Sequence, residues 1–214
     1  MYKRQIYVSS NAQNSQKLLD GINTPIVFMD RKIDKTGNMG SVQIDNYAAM
    51  KDVAHYISSK GCKKIAYISA DISQSPSHER YDGFIDGLHE CDISFDKRLH
   101  YAGTFSVETG QLGAMTLLQT SPDIDCIVCG NDLMAIGAIN ICQKLGRNIP
   151  DDISIMGFDD IYISKYLNPE LTTVRQDAYE MGRRAASMLI EYLDEHTPLS
   201  DVVLPYQIIE RNTV

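Results

Sequence analysis

Short, nearly unbroken apolar runs alternate along the chain with longer stretches in which apolar residues recur every third or fourth position. The runs Ile6–Val8, Ile26–Met29, Lys64–Ser69, Cys126–Cys129, Ile153–Gly157 and Val202–Leu204 read as strands. Several of them lack the polar alternation of a half-exposed sheet, as strands buried on both faces do. Between them, Tyr47–Ser59 carries Ala48, Val53, Ala54 and Ile57 at helical spacing and stops at Lys60-Gly61. Glu79–His89 and Val107–Gln119 read the same way. Asp132–Leu145 places Met134, Gly137, Ala138, Ile141 and Leu145 on one face, opens at the capping pair Asn131-Asp132 and ends at Gly146, with Pro150 beyond. Tyr179–Leu193 is the last helix, with Met181, Ala185, Met188, Leu189 and Tyr192 in register. Strands alternating with helices predict an α/β fold built on parallel sheets. Asn11–Gly21 is helix-like with little apolar surface, and Met1–Gln5 fits no element.

Composition narrows the function. With 214 residues the chain allows one large domain or two lobes, and 43% hydrophobic with 22% charged residues is the balance of an ordered globule. No apolar run approaches the roughly 18 residues a membrane span needs, and no signal-peptide pattern opens the chain, so a cytoplasmic location is expected. Twenty Lys and Arg against 28 Asp and Glu give a net charge of −8, which disfavours phosphate-backbone binding by this segment. The five cysteines, Cys62, Cys91, Cys126, Cys129 and Cys142, read as reduced thiols. Cys126 and Cys129 have C-x-x-C spacing, but three residues apart on a strand point to opposite faces, which favours two core positions over a redox or metal pair.

Enzyme signatures are missing: no G-x-S-x-G, no phosphate-binding G-x-x-x-x-G-K-[ST], no G-x-G-x-x-G and no H-E-x-x-H. The five histidines are isolated from one another and from cysteine. No catalytic residue, metal or cofactor is therefore expected. What does recur is a polar residue just past an apolar strand: Asp30 after Ile26–Met29, Asn131-Asp132 after Cys126–Cys129, and Asp159-Asp160 after Ile153–Phe158. Ligands of open α/β sheets bind outside the carboxyl ends of strands, so these positions predict a polar crevice; each alone could equally be a helix cap or turn former. In Asp159-Asp160, one side chain would face the ligand while its neighbour turns away.

The stretch from Cys129-Gly130-Asn131-Asp132 through Ile149-Pro150-Asp151-Asp152-Ile153-Ser154-Ile155-Met156-Gly157-Phe158-Asp159-Asp160, continuing into Pro169-Glu170-Leu171-Thr172-Thr173-Val174-Arg175-Gln176-Asp177, resembles the lactose/galactose repressor (LacI/GalR) family. Pro25–Arg31, Val42–Asn46, Gly61–Ala66 and Arg80–Phe84 extend the resemblance over roughly Leu18 to Val214. It implies a periplasmic-binding-protein-like fold of two parallel-sheet lobes joined by three crossover strands, near Val42–Asp45, Thr173–Asp177 and Leu204–Tyr206. The lobes would be 1–43 with 176–204, an incomplete first lobe, and 44–175 with 205–214. The family's DNA-binding helix-turn-helix head has no counterpart here. The resemblance also implies a ligand site of Asp30, Arg80, Phe105, Asn131, Asp159 and Gln176. Arg80 would donate to hydroxyls or an anion, the acids would accept, and Phe105 would either stack on a sugar ring or sit in the core.

These readings make the chain the sensor of a transcriptional regulator, binding a small effector, a sugar in preference to a purine, as a homodimer, with operator DNA reached only through the absent head. A periplasmic-type sugar-binding protein of the same architecture is the alternative, and a glycosidase a third.

Overall fold

The computed structural model describes residues 4–8, 24–31, 38–73 and 75–214. In chain order the elements are β1 (Gln5–Tyr7), β2 (Ile26–Met29), β3 (Met39–Ile44), α1 (Asn46–Ser59), β4 (Ile65–Ala70), α2 (Ser77–Glu90), β5 (His100–Gly103), α3 (Val107–Thr120), β6 (Cys126–Cys129), α4 (Asp132–Lys144), β7 (Ser154–Asp159), β8 (Thr172–Gln176), α5 (Ala178–Glu195), β9 (Asp201–Leu204) and β10 (Tyr206–Ile209). Two short 3-10 turns, Lys97–Leu99 and Tyr162–Tyr166, lie between them. The helix-like stretch Asn11–Gly21 lies outside the described residues.

The chain forms two compact units, Met1–Asp45 with Gln74–Pro76 and Asp177–Pro205, and Asn46–Ser73 with Ser77–Gln176 and Tyr206–Val214. The first holds a four-stranded parallel sheet ordered β1-β2-β3-β9. Ile26, Phe28 and Met39 form its buried core, with Tyr7 packed against them. Helix α5 lies on β2 and β3 and buries Met181, Ala185, Met188 and Leu189, four residues that share one stripe because they recur at three- and four-residue steps.

The second unit holds a six-stranded sheet ordered β10-β8-β7-β6-β4-β5, parallel throughout except for β10, which runs antiparallel to β8. Strands β4 and β6 are buried at every position, which is why their sequences are apolar without alternation. Ala66, Ile68, Ile127, Cys129 and Ile155 join Ala114, Leu117 and Leu118 of α3 and Met134, Ala138, Ile141 and Cys142 of α4 in one core. Met134 and Ile141 are thus interior residues. Helices α3 and α4 touch backbone to backbone. A Cβ on Gly110 would lie 2.0 Å from the Met134 carbonyl oxygen, and one on Gly137 would lie 2.2 Å from that of Val107.

Cys129 belongs to this core, whereas Cys126, equally buried, is not part of it. The C-x-x-C pair therefore divides between the two faces, and all five cysteines are free thiols. Among the described residues no group of three or more His, Cys, Asp or Glu could hold a metal ion.

Several boundaries differ from the sequence reading. Strand β1 begins at Gln5, so the opening segment does contribute to an element, and β7 runs on to Asp159. Strand β3 begins at Met39, three residues before the predicted crossover, because its Met-Gly-Ser start has neither alternation nor a continuous apolar run. Strand β5 carries no apolar run at all, and the tail folds as β10 by pairing Tyr206 with Gln176.

Candidate functional site

Helix α2 presents Arg80 from its first turn, and the side chain is almost wholly enclosed, with 2% exposure. A guanidinium stays charged at any physiological pH, so burial is tolerable only where its N–H groups find acceptors. Nε donates to Asn46 Oδ1 at 2.8 Å and Nη1 donates to the Gly130 carbonyl at 2.8 Å. The Phe158 ring lies beneath it, with Cζ 3.7 Å from the ring centroid, a cation–π contact out of water's reach. Asn46 opens α1 directly after β3, Gly130 follows β6, and Phe158 sits near the end of β7. The arginine is thus clamped by three separate strand ends.

Asp159 is the neighbouring acid. Its Oδ1 lies 3.8 Å from Arg80 Nη1, a loose ion pair, and accepts a 2.7 Å hydrogen bond from Gln176 Nε2 at the end of β8. A quarter of its side chain remains exposed. Its backbone has φ 109°, a left-handed conformation that non-glycine residues adopt only when their surroundings impose it. Asp160 turns the other way, buried between Arg175 Nε and Arg211 Nη2 at 2.6 Å each. The two adjacent acids divide the work as the strand geometry requires.

The remaining predicted residues have varied settings. The Asn131 amide oxygen accepts from the Met134 N–H at 3.0 Å and so caps α4. Phe105, half-buried, packs against the α3–α4 core, and a separate ring, that of Phe158, lies beneath Arg80. Asp30 lies in the first unit past β2, at φ 52°, its N–H bonded to the Val42 carbonyl. The second unit therefore brings Arg80, Asp159 and Gln176 together, and adds Asn46 and Phe158, which the sequence reading did not assign to the site. Both lay inside stretches that carry the resemblance, Phe158 in Gly-Phe-Asp-Asp and Asn46 at the end of Val42–Asn46.

Asp132, read both as half of a capping pair and as one of the polar groups past a strand end, is the hub beside the site. Fully buried, it accepts from Thr173 Oγ1 at 2.6 Å through Oδ1, and from the Ile161 N–H at 2.9 Å and Ser164 Oγ at 2.5 Å through Oδ2. Burial pushes its pKa up to about 6 despite these three donors, so desolvation outweighs hydrogen bonding. Gly157 is required alongside, since a Cβ there would lie 2.3 Å from Asp132 Oδ1. In chemical terms the site offers a fixed cationic donor, a partly exposed carboxylate and an amide, a set that orients polar ligands by hydrogen bonds.

Parallel sheets flanked by helices, with polar groups gathered at strand ends, define a ligand-binding domain of the periplasmic-binding-protein kind. Residues 54–214 match the family described as periplasmic binding protein-like domain, and the chain belongs to that family, in the form found as the effector-binding domain of LacI/GalR-type regulators. The repressor CytR of Escherichia coli K12 is 29% identical over 192 residues, covering 89% of this chain and 56% of the repressor. The ribose operon repressor of Halalkalibacterium halodurans is 31% identical over 199 residues, covering 92% of this chain and 58% of that protein. The crystal structure of the transcription regulator CcpA of Lactococcus lactis superposes with a TM-score of 0.88 at 29% identity, covering 97% of this chain and 76% of that one. The chain thus spans a little over half the length of these curated relatives.

Proposed function

We propose that this chain is the effector-sensing part of a transcriptional regulator and that its effector is a small polyhydroxylated molecule, a sugar. The observation that carries this reading is the clamped arginine. A protein that buries a guanidinium, orients it with two neutral acceptors and an aromatic face, and leaves the facing carboxylate a quarter exposed has built a donor–acceptor pair matched to hydroxyl groups. Gln176 adds an amide whose Oε1 is buried without a partner. The name of the ribose operon repressor supports the sugar assignment, and the naming of both curated relatives as repressors favours a regulator over a binding protein that delivers ligand to a transporter, and over an enzyme.

In this reading the protein works in the cytoplasm as a homodimer and reaches operator DNA through a separate head, its own charge of −8 being unsuited to phosphate contacts. Among the described residues no helix is long and apolar enough to cross a membrane. Effector binding would shift the regulator between states of different operator affinity, by a coupling free energy set by the differential contacts at Arg80 and Asp159.

The test is a thermal-shift screen with D-ribose, D-galactose, D-glucose, cellobiose and adenine. At a hundred times its dissociation constant a ligand stabilises the fold by about 2.7 kcal/mol, a readily measured rise in melting temperature. A sugar should raise it, and Asp159→Ala should remove the rise. No response to any sugar, or an equal response in Asp159→Ala, would refute the assignment.

A further inference from the structure

Asn46 accepts from Arg80 through its amide oxygen, since a guanidinium has donors only, and this orientation leaves its own Nδ2 buried without a partner. An aspartate there would have avoided the orphaned donor and added charge, but it would also have neutralised the arginine. A neutral acceptor fixes the guanidinium while leaving its charge available. Asn46 has a second distinction: Asp45 ends a segment of the first unit and Asn46 begins the second. Gln176, which donates to Asp159 at 2.7 Å, stands in the same relation to Asp177, the residue at which the chain re-enters the first unit. These two side chains that touch the Arg80–Asp159 pair are therefore short tethers to two of the points where the chain passes between units.

We propose that Asn46 is a positioning residue for Arg80, and that Asn46 and Gln176 tie the Arg80–Asp159 pair to these two chain passages. The inference rests on reading Arg80 and Asp159 as ligand groups. The physical basis is stiffness. Asn46 is fully buried and has only two side-chain torsions, so its carboxamide cannot follow a displaced guanidinium without moving its own backbone. That backbone continues through Asp45 into β3, all six residues of which are buried. Whatever draws Arg80 or Asp159 to a new position is thereby felt at residues 45–46 and 176–177.

The experiment uses the full chain without added ligand. The Arg80 Nε–H signal, assigned by its loss in Arg80→Lys, should exchange slowly with solvent in the parent and at least about tenfold faster in Asn46→Leu, with Asn46→Asp restoring protection. In hydrogen exchange by mass spectrometry, Arg80→Lys should accelerate peptides covering residues 42–50 and 173–181 at least about tenfold and leave α3 unchanged. Unchanged Nε–H exchange in Asn46→Leu, or acceleration that is absent at the passages or equal in α3, would overturn the proposal. Because no sugar enters these measurements, a chain that shows the protections yet fails the thermal-shift screen would refute the ligand reading separately.

Discussion

Two carboxylates stand at the ends of neighbouring strands of one sheet and meet opposite treatment. Asp132, past β6, is sealed from water and holds three donors from the β7–β8 connection and β8. Asp159, at the end of β7, keeps a quarter of its side chain in solvent, shares one oxygen between an amide and a distant guanidinium, and sits in a strained backbone. The first arrangement seals the carboxylate behind buried donors, as a structural group requires; the second leaves it within reach of solvent. Location at a strand end does not by itself separate the two roles, whereas exposure and backbone strain do.

The contrast breaks most visibly at Asp132. Asp132→Ala leaves the Ile161 N–H and the Ser164 and Thr173 hydroxyls without their acceptor in a buried space, and should destabilise the fold by about 3–5 kcal/mol in denaturant unfolding. A loss below about 1 kcal/mol would mean that water or local rearrangement satisfies these donors, and that Asp132 is not the hub the geometry describes.

The pH dependence sharpens the same point. Asp132 has its folded pKa raised to about 6 from an ordinary 3.8, so between these values the native chain holds a proton that the unfolded chain releases. Its contribution to stability is therefore full below about pH 4, declines as pH rises through 6, and is flat above. At about 1.4 kcal/mol per pH unit the change amounts to about 3 kcal/mol. The stability difference between the parent and Asp132→Asn should follow this curve between pH 4 and 7. A difference constant over that range would show that desolvation does not govern the group.

Much of this was legible in the sequence, and the limits are physical. Buried parallel strands such as Cys126-Ile127-Val128-Cys129 announce themselves by continuous apolarity, and the split of Asp159 from Asp160 follows from strand alternation. Strand β5, His100-Tyr101-Ala102-Gly103, is specified by pairing to β4, residues distant in the chain, so no local pattern reveals it. The partners of Asn46 and Asp132 escaped for a related reason. A side chain that caps a helix and one that clamps a buried arginine are the same residue types at the same kind of position, and only the partner, brought from 34 residues away for Asn46, tells them apart. Phe158 went unassigned because the contact of its ring with Arg80 is decided by the packing of α2 against the sheet.

The smallest expected effect is also the most discriminating. Asp159 has φ 109°, where a side chain is strained and glycine is not, and a quarter of its side chain is in solvent. Asp159→Gly should therefore leave the fold as stable as the parent or more stable by about 1 kcal/mol, because relief of backbone strain offsets the greater freedom of the unfolded chain and the loss of a loose ion pair. The same substitution should eliminate any sugar-dependent thermal shift. Stability held while binding disappears is the signature of a residue kept in an unfavourable conformation for its chemistry. If Asp159→Gly instead destabilised the chain as much as Asp132→Ala, both carboxylates would be structural, and the distinction between a sealed and a solvent-facing carboxylate would fail.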